Sequence, residues 1–146
     1  MRIVGVLASL ALIVLMLMES FETILQPRRV THRFRYVRLF YLGTWALWRA
    51  IALQIAPGRR REAFLSVFAP LSLLGLFGNW VVGLILGFAL LHWSLGFPLH
   101  PAGAVPEFAS CFYLSGTTFF TLGYGDITPA TTTGHILAVI EAGMGF

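Results

Sequence analysis

Thr121-Leu122-Gly123-Tyr124-Gly125-Asp126 joins residue types and a spacing that could do chemistry through backbone atoms alone. Two glycines separated by one residue let alternate positions take the positive φ that other residue types resist. A segment alternating in this way can aim successive carbonyl oxygens toward one axis. Four such segments around an axis would stack rings of oxygen able to replace the water shell of a dehydrated alkali cation. The bland reading is a surface turn, where Gly-Tyr-Gly-Asp also occurs. A dinucleotide fingerprint is set aside, because Thr128 stands where the third glycine would be and no βαβ unit surrounds the segment.

The elements that must position this segment decide between filter and turn. Upstream, Glu107 to Phe120 is apolar and about the length of a short helix, following Pro98, Pro101 and Pro106. Downstream, Pro129 and a threonine-rich turn lead to Gly134 and the apolar run His135 to Phe146. Short helix, hexapeptide, turn and long helix resembles the order of a potassium-channel pore, and that likeness favours the filter. The hexapeptide resembles the pore loop of potassium-selective channels, whose signature is Thr-Val/Ile-Gly-Tyr/Phe-Gly followed by Asp. Five of six positions match, with Leu122 where Val or Ile is usual. Coordination there uses a backbone carbonyl, so the swap leaves the chemistry intact, although a γ-branched residue packs differently behind the filter.

The resemblance is confined mainly to residues 64–146. It implies that the carbonyls of Thr121, Leu122, Gly123 and Tyr124, with the Thr121 hydroxyl, form the K+ sites. It also implies that Gly125 and the Tyr124 ring support the filter, and that four chains assemble around one axis. In several family members the residue matching Asp126 bonds behind the filter to a carboxyl or an aromatic donor on the pore helix. Here the position that can hold the carboxyl is Thr117, and the aromatic nearby is Tyr113. An exposed Asp126 drawing cations to the mouth is an equally reasonable role. Gly145 aligns with the family's usual hinge glycine, while close helix packing is the alternative for both Gly143 and Gly145.

Composition sets the solvent. Hydrophobic residues make up 58% of the chain, charged residues 11%, and the mean hydropathy is +0.82. Soluble domains carry roughly 25% charged residues, so the composition is that of an integral membrane protein. The one cysteine, Cys111, excludes a disulfide framework within the chain. It reads as a small buried residue of the short helix. All ten basic residues are arginine, and nine lie between Arg28 and Arg61 in a window without Asp or Glu. Between apolar segments, such a stretch reads as a cytoplasmic loop beside anionic headgroups rather than as a nucleic-acid surface.

Ile3 to Met18 is apolar apart from Ser9, ~24 Å as helix, and Phe21, Ile24 and Leu25 extend it. A cleaved signal peptide competes with a retained first membrane helix. The latter is favoured, because Glu19 sits where a cleavage site needs small residues. Leu39 to Ile55 is apolar, yet Arg49 lies inside it and both flanks are basic. Arg35, Arg38 and Arg49 fall within a ~60° sector of a helical wheel, and Tyr36, Tyr41, Trp45 and Trp48 suit the headgroup level. We read an interfacial helix on the cytoplasmic leaflet, with a tilted span as the alternative. Leu71 to Leu95 gives 25 uncharged residues, ~37 Å, enough to span from inside to outside. Pro70 marks its early turns and Trp93 its outer end. Gly96 to Pro106 is then the outer loop.

His135 to Phe146 gives ~18 Å of helix, so the expectation is an inner helix that stops partway. Glu141 is its one ionisable residue, and charge at such depth is costly. Either its carboxyl bonds to the pore helix at Thr117 or Thr118, or it stays protonated and matters little. His32, His92, His100 and His135 show no ligand spacing, and His92 and His100 suit an interface. Nothing resembles a catalytic constellation, so no enzyme activity is expected. The sequence thus predicts an all-α membrane protein with a potassium-channel-type pore of outer helix, pore helix, filter and inner helix. Residues 1–62 hold the N-terminal membrane helix and the basic interfacial segment; residues 63–146 hold the pore domain. The expected activity is passive K+ conduction by a homotetramer among plasma-membrane lipids, without nucleic acid. A weakly selective cation pore and a non-conducting subunit are the alternatives.

Overall fold

Apolar runs and proline positions set the element boundaries of the computed structural model. It describes residues 2–25, 35–54, 58–101 and 107–146. Arg28, Arg29, His32, Arg33, Ile55 and Pro106 lie outside these residues, as do the side chains of Ile24, Leu25, Arg35 and Tyr36. The helices are α1 (Arg2–Leu25), α2 (Arg35–Ala52), α3 (Arg59–Ser66), α4 (Phe68–Leu95), α5 (Phe108–Phe119) and α6 (Thr132–Gly145). Strands β1 (Leu99–His100) and β2 (Thr128–Pro129) pair antiparallel, Leu99 opposite Pro129 and His100 opposite Thr128. The architecture is all-α apart from this short ladder, as expected for a membrane protein of this composition.

Two helical stretches among the described residues are long and apolar enough to cross a bilayer: Arg2–Thr23 and Arg59–Leu95. The second joins α3 to α4, so helix begins well before the expected start at Leu71. Pro70 explains the break at Val67: lacking an N–H, it cannot bond the Ser66 carbonyl four residues back. Helix α2 is not among the candidate spans. Helix α6 starts at Thr132 rather than His135, because the Thr131 side chain caps it, accepting from Gly134 N at 3.2 Å.

The chain divides into two compact units, Met1–Met18 with Val81–Phe146, and Glu19–Trp80. The sequence reading divides it after residue 62 instead. In the first unit, Gly83 and Gly87 of α4 leave room for α1. A Cβ at Gly83 would stand 2.6 Å from Met16 Sδ, and one at Gly87 2.6 Å from Ile13 Cγ1. Ser9, Ile13 and Met16 are buried there. Glycines four residues apart let two helices approach this closely in lipid.

In the second unit, α2 and α3 are joined by aromatic side chains. Trp48 stacks on Phe64 at 4.3 Å and donates from Nε1 to the Phe64 carbonyl at 3.2 Å. Trp45 meets Phe68 edge-on at 4.9 Å. Arg38, Arg49, Arg59 and Arg60 remain exposed.

Candidate functional site

Helix α5 carries one buried stripe, Cys111, Leu114, Ser115 and Phe119, at the i, i+3, i+4, i+8 spacing of one helical face. Cys111 packs with Leu99, Leu114 and Ile127, the small buried role expected of it. Phe108, Phe112 and Tyr113 fall on the exposed face. Trp93, exposed at the end of α4, meets Phe108 edge-on at 6.0 Å.

The chain then turns back on the end of α5. Thr121 N donates to the Thr118 carbonyl at 2.9 Å, and Leu122 N to the Thr117 carbonyl at 2.8 Å, which Gly123 N also reaches at 3.4 Å. These bonds satisfy carbonyls that a helix end leaves without partners. Positive φ falls on alternate residues: 54° at Thr121, 57° at Gly123 and 75° at Gly125. That alternation is the backbone condition for turning successive carbonyls to one side. The segment is exposed from Thr121 to Asp126, with Leu122 at 53% and Tyr124 at 67%. The C-terminal end of α5, with its partial negative charge, adjoins the segment and favours cations there.

Asp126 closes the turn. Its Oδ2 accepts from the Tyr113 hydroxyl at 2.8 Å and its Oδ1 from Ile127 N at 3.0 Å. Of the partners the sequence offered, the aromatic one is used. Thr117 instead donates to the Leu114 carbonyl of its own helix at 3.0 Å. Beyond Asp126, β2 and a bond from Ala130 N to the Pro98 carbonyl at 2.9 Å tie the exit to the loop after α4.

Behind α5 lies a polar cluster that sequence reasoning placed only in part. Glu141 is fully buried, and its partner is Ser115, which corrects the expected bond to Thr117 or Thr118. Ser115 faces α6 because it belongs to the buried stripe, whereas Thr117 has rotated ~200° further around the helix. His92 is a second correction: it is 1% exposed rather than interfacial, with Nε2 3.8 Å from Glu141 Oε2. Ser115 Oγ also lies 2.9 Å from the Ile85 carbonyl of α4. At the C-terminal end of α5, Gly145 touches the helix backbone. A Cβ there would overlap the Phe119 carbonyl oxygen.

Residues 80–146 match a family model described as "Ion channel". The matched stretch holds the later part of α4, α5, the Thr121–Asp126 segment and α6, and the match supports an ion-channel function. No curated protein and no solved structure matches the chain.

Proposed function

We propose that this chain is one of four that form a potassium-selective pore in the cell membrane and conduct K+ passively. The observation that carries the reading is the alternation of positive φ at Thr121, Gly123 and Gly125, on a loop whose amides cap the pore helix. In four-fold symmetry the carbonyls of Thr121, Leu122, Gly123 and Tyr124 form stacked rings that replace the water around K+. Repulsion between neighbouring ions keeps them moving. Gly125 supplies the last positive φ, and the Tyr113–Asp126 bond holds the outer end of the segment. Leu122, Tyr124, Ile136 and Val139, all exposed in one chain, gain neighbours in a closed ring of subunits.

The test is reconstitution of the full-length protein in planar bilayers with K+ on one side and Na+ on the other. The expected reversal potential follows the K+ gradient. Equal permeability would replace this reading with a weakly selective cation pore. Absence of current from verified assemblies would replace it with a non-conducting subunit.

A further inference from the structure

Ile85 and His92 stand seven residues apart on α4, two helical turns and the same face. Between them, the side chains of Ser115 and Glu141 reach in from α5 and α6, and all three polar residues are buried. The hydrogens of this cluster can be counted. Ser115 Oγ has two oxygen neighbours, Ile85 O at 2.9 Å and Glu141 Oε1, but a serine hydroxyl carries one hydrogen. The Ile85 carbonyl can only accept. Two hydrogens are needed for two bonds, so the second belongs to Glu141. At the other carboxyl oxygen, Oε2 has no hydrogen-bond partner, and neither ring nitrogen of His92 has one. His92 Nε2 faces that oxygen at 3.8 Å.

We propose that His92, Glu141 and Ser115 form a one-way chain of hydrogen bonds, His92 to Glu141 to Ser115 to the Ile85 carbonyl. Every member is neutral. His92 donates from Nε2–H to Oε2, the Glu141 acid hydrogen goes to Ser115 Oγ, and the serine hydrogen goes to α4. This order places no charge in the bilayer interior, where charge is expensive. It also begins and ends on one helix, so α5 and α6 are clasped to α4 at two levels. His92 is the positioning residue: it fixes which carboxyl oxygen keeps the hydrogen, and through Ser115 it sets the rotation of the helix that carries Thr121–Asp126. The inference deepens the pore reading, but its first measurement does not depend on conduction.

Isotope-edited infrared spectroscopy of the full chain in lipid, with 13C-carboxyl glutamate and read as the difference between the parent and Glu141→Gln, isolates the Glu141 carboxyl from those of Glu19, Glu22, Glu62 and Glu107. At neutral pH a carboxylic-acid C=O band is expected, and it should vanish in Glu141→Gln. The band should move to higher frequency in His92→Leu, which removes the donor to Oε2. It should stay near its original place in His92→Gln, whose amide nitrogen can occupy the Nε2 position. If His92→Leu does not fold, Ser115→Ala gives the second reading, because loss of the acceptor shifts the same band. A carboxylate band in that difference spectrum, or an acid band indifferent to both His92→Leu and Ser115→Ala, overturns the chain. Selectivity measured on the same preparations separates the two ideas. The signature without K+ preference leaves the chain standing and removes the pore reading, and the converse result does the opposite.

Discussion

Gly145→Ala and Gly143→Ala, two residues apart on α6, should act with opposite sign. At Gly145 the added methyl would overlap the Phe119 carbonyl oxygen and stand 2.8 Å from that carbonyl carbon and 3.2 Å from the Phe119 Cα. These are backbone atoms at the end of α5, so no side-chain rotation relieves the contact. The two helices must separate, and overpacking of this kind costs about 1–3 kcal/mol. Alanine's better helix propensity returns up to ~1 kcal/mol. With that gain in full the net loss is up to ~2 kcal/mol per chain, applied one residue before Phe120 leads into Thr121. At Gly143 no atom lies within 4 Å of a Cβ, so only the gain of up to ~1 kcal/mol remains. Thermal unfolding followed by circular dichroism in lipid nanodiscs reads both, with a shift of about 2–4 °C per kcal/mol for a chain of this length. Gly145→Ala should melt earlier than the parent and Gly143→Ala no earlier. A Gly145→Ala variant as stable as the parent would refute the close approach. Equal losses in both would refute the assignment of its cause.

Two further outcomes bear on the pore and on topology. Gly123→Ala and Gly125→Ala meet no neighbouring atom, so their cost is conformational, ~1–2 kcal/mol per chain for a residue held at positive φ. Under the proposed pore reading, the K+ over Na+ preference should fall in both, and unchanged reversal potentials would remove the backbone account. Cysteines placed at Arg33 and Arg60 should resist an external impermeant thiol reagent and react from the inside, against the low background of buried Cys111. Labelling of either from outside would show that α2 crosses the bilayer.

What the sequence made legible was local. Apolar run length is enough to find a membrane helix, and two glycines at alternate positions reveal a backbone that must change the sign of φ. Helices α5 and α6, on either side of Thr121–Asp126, fall within a few residues of expectation. Rotation about each helix axis was harder to read. That Glu141 turns toward the pore helix was readable as one of two options, but choosing Ser115 over Thr117 needs the buried stripe of α5. That stripe was present in the sequence as Cys111, Leu114, Ser115 and Phe119. His92 and His100, eight residues apart around a loop, suit an interface on sequence grounds. Adjacent helical residues point ~100° apart, and here Trp93 faces out while His92 faces in. The short β-ladder gave no signal at all, since two residues per strand are too few for alternation. Nor could run lengths foretell that α1 packs with residues beyond Val81.

That last contact has a consequence for how the protein is made. Ile13 and Met16 leave the ribosome about 70 residues before Gly83 and Gly87, the glycines that receive them. At 5–20 residues per second, translation takes about 4–14 s to cover that distance. Through this interval the first helix has to hold its place in the bilayer with lipid alone against the face it will later bury. Its long apolar run is suited to that wait. The glycine groove, arriving last, finds its occupant already inserted.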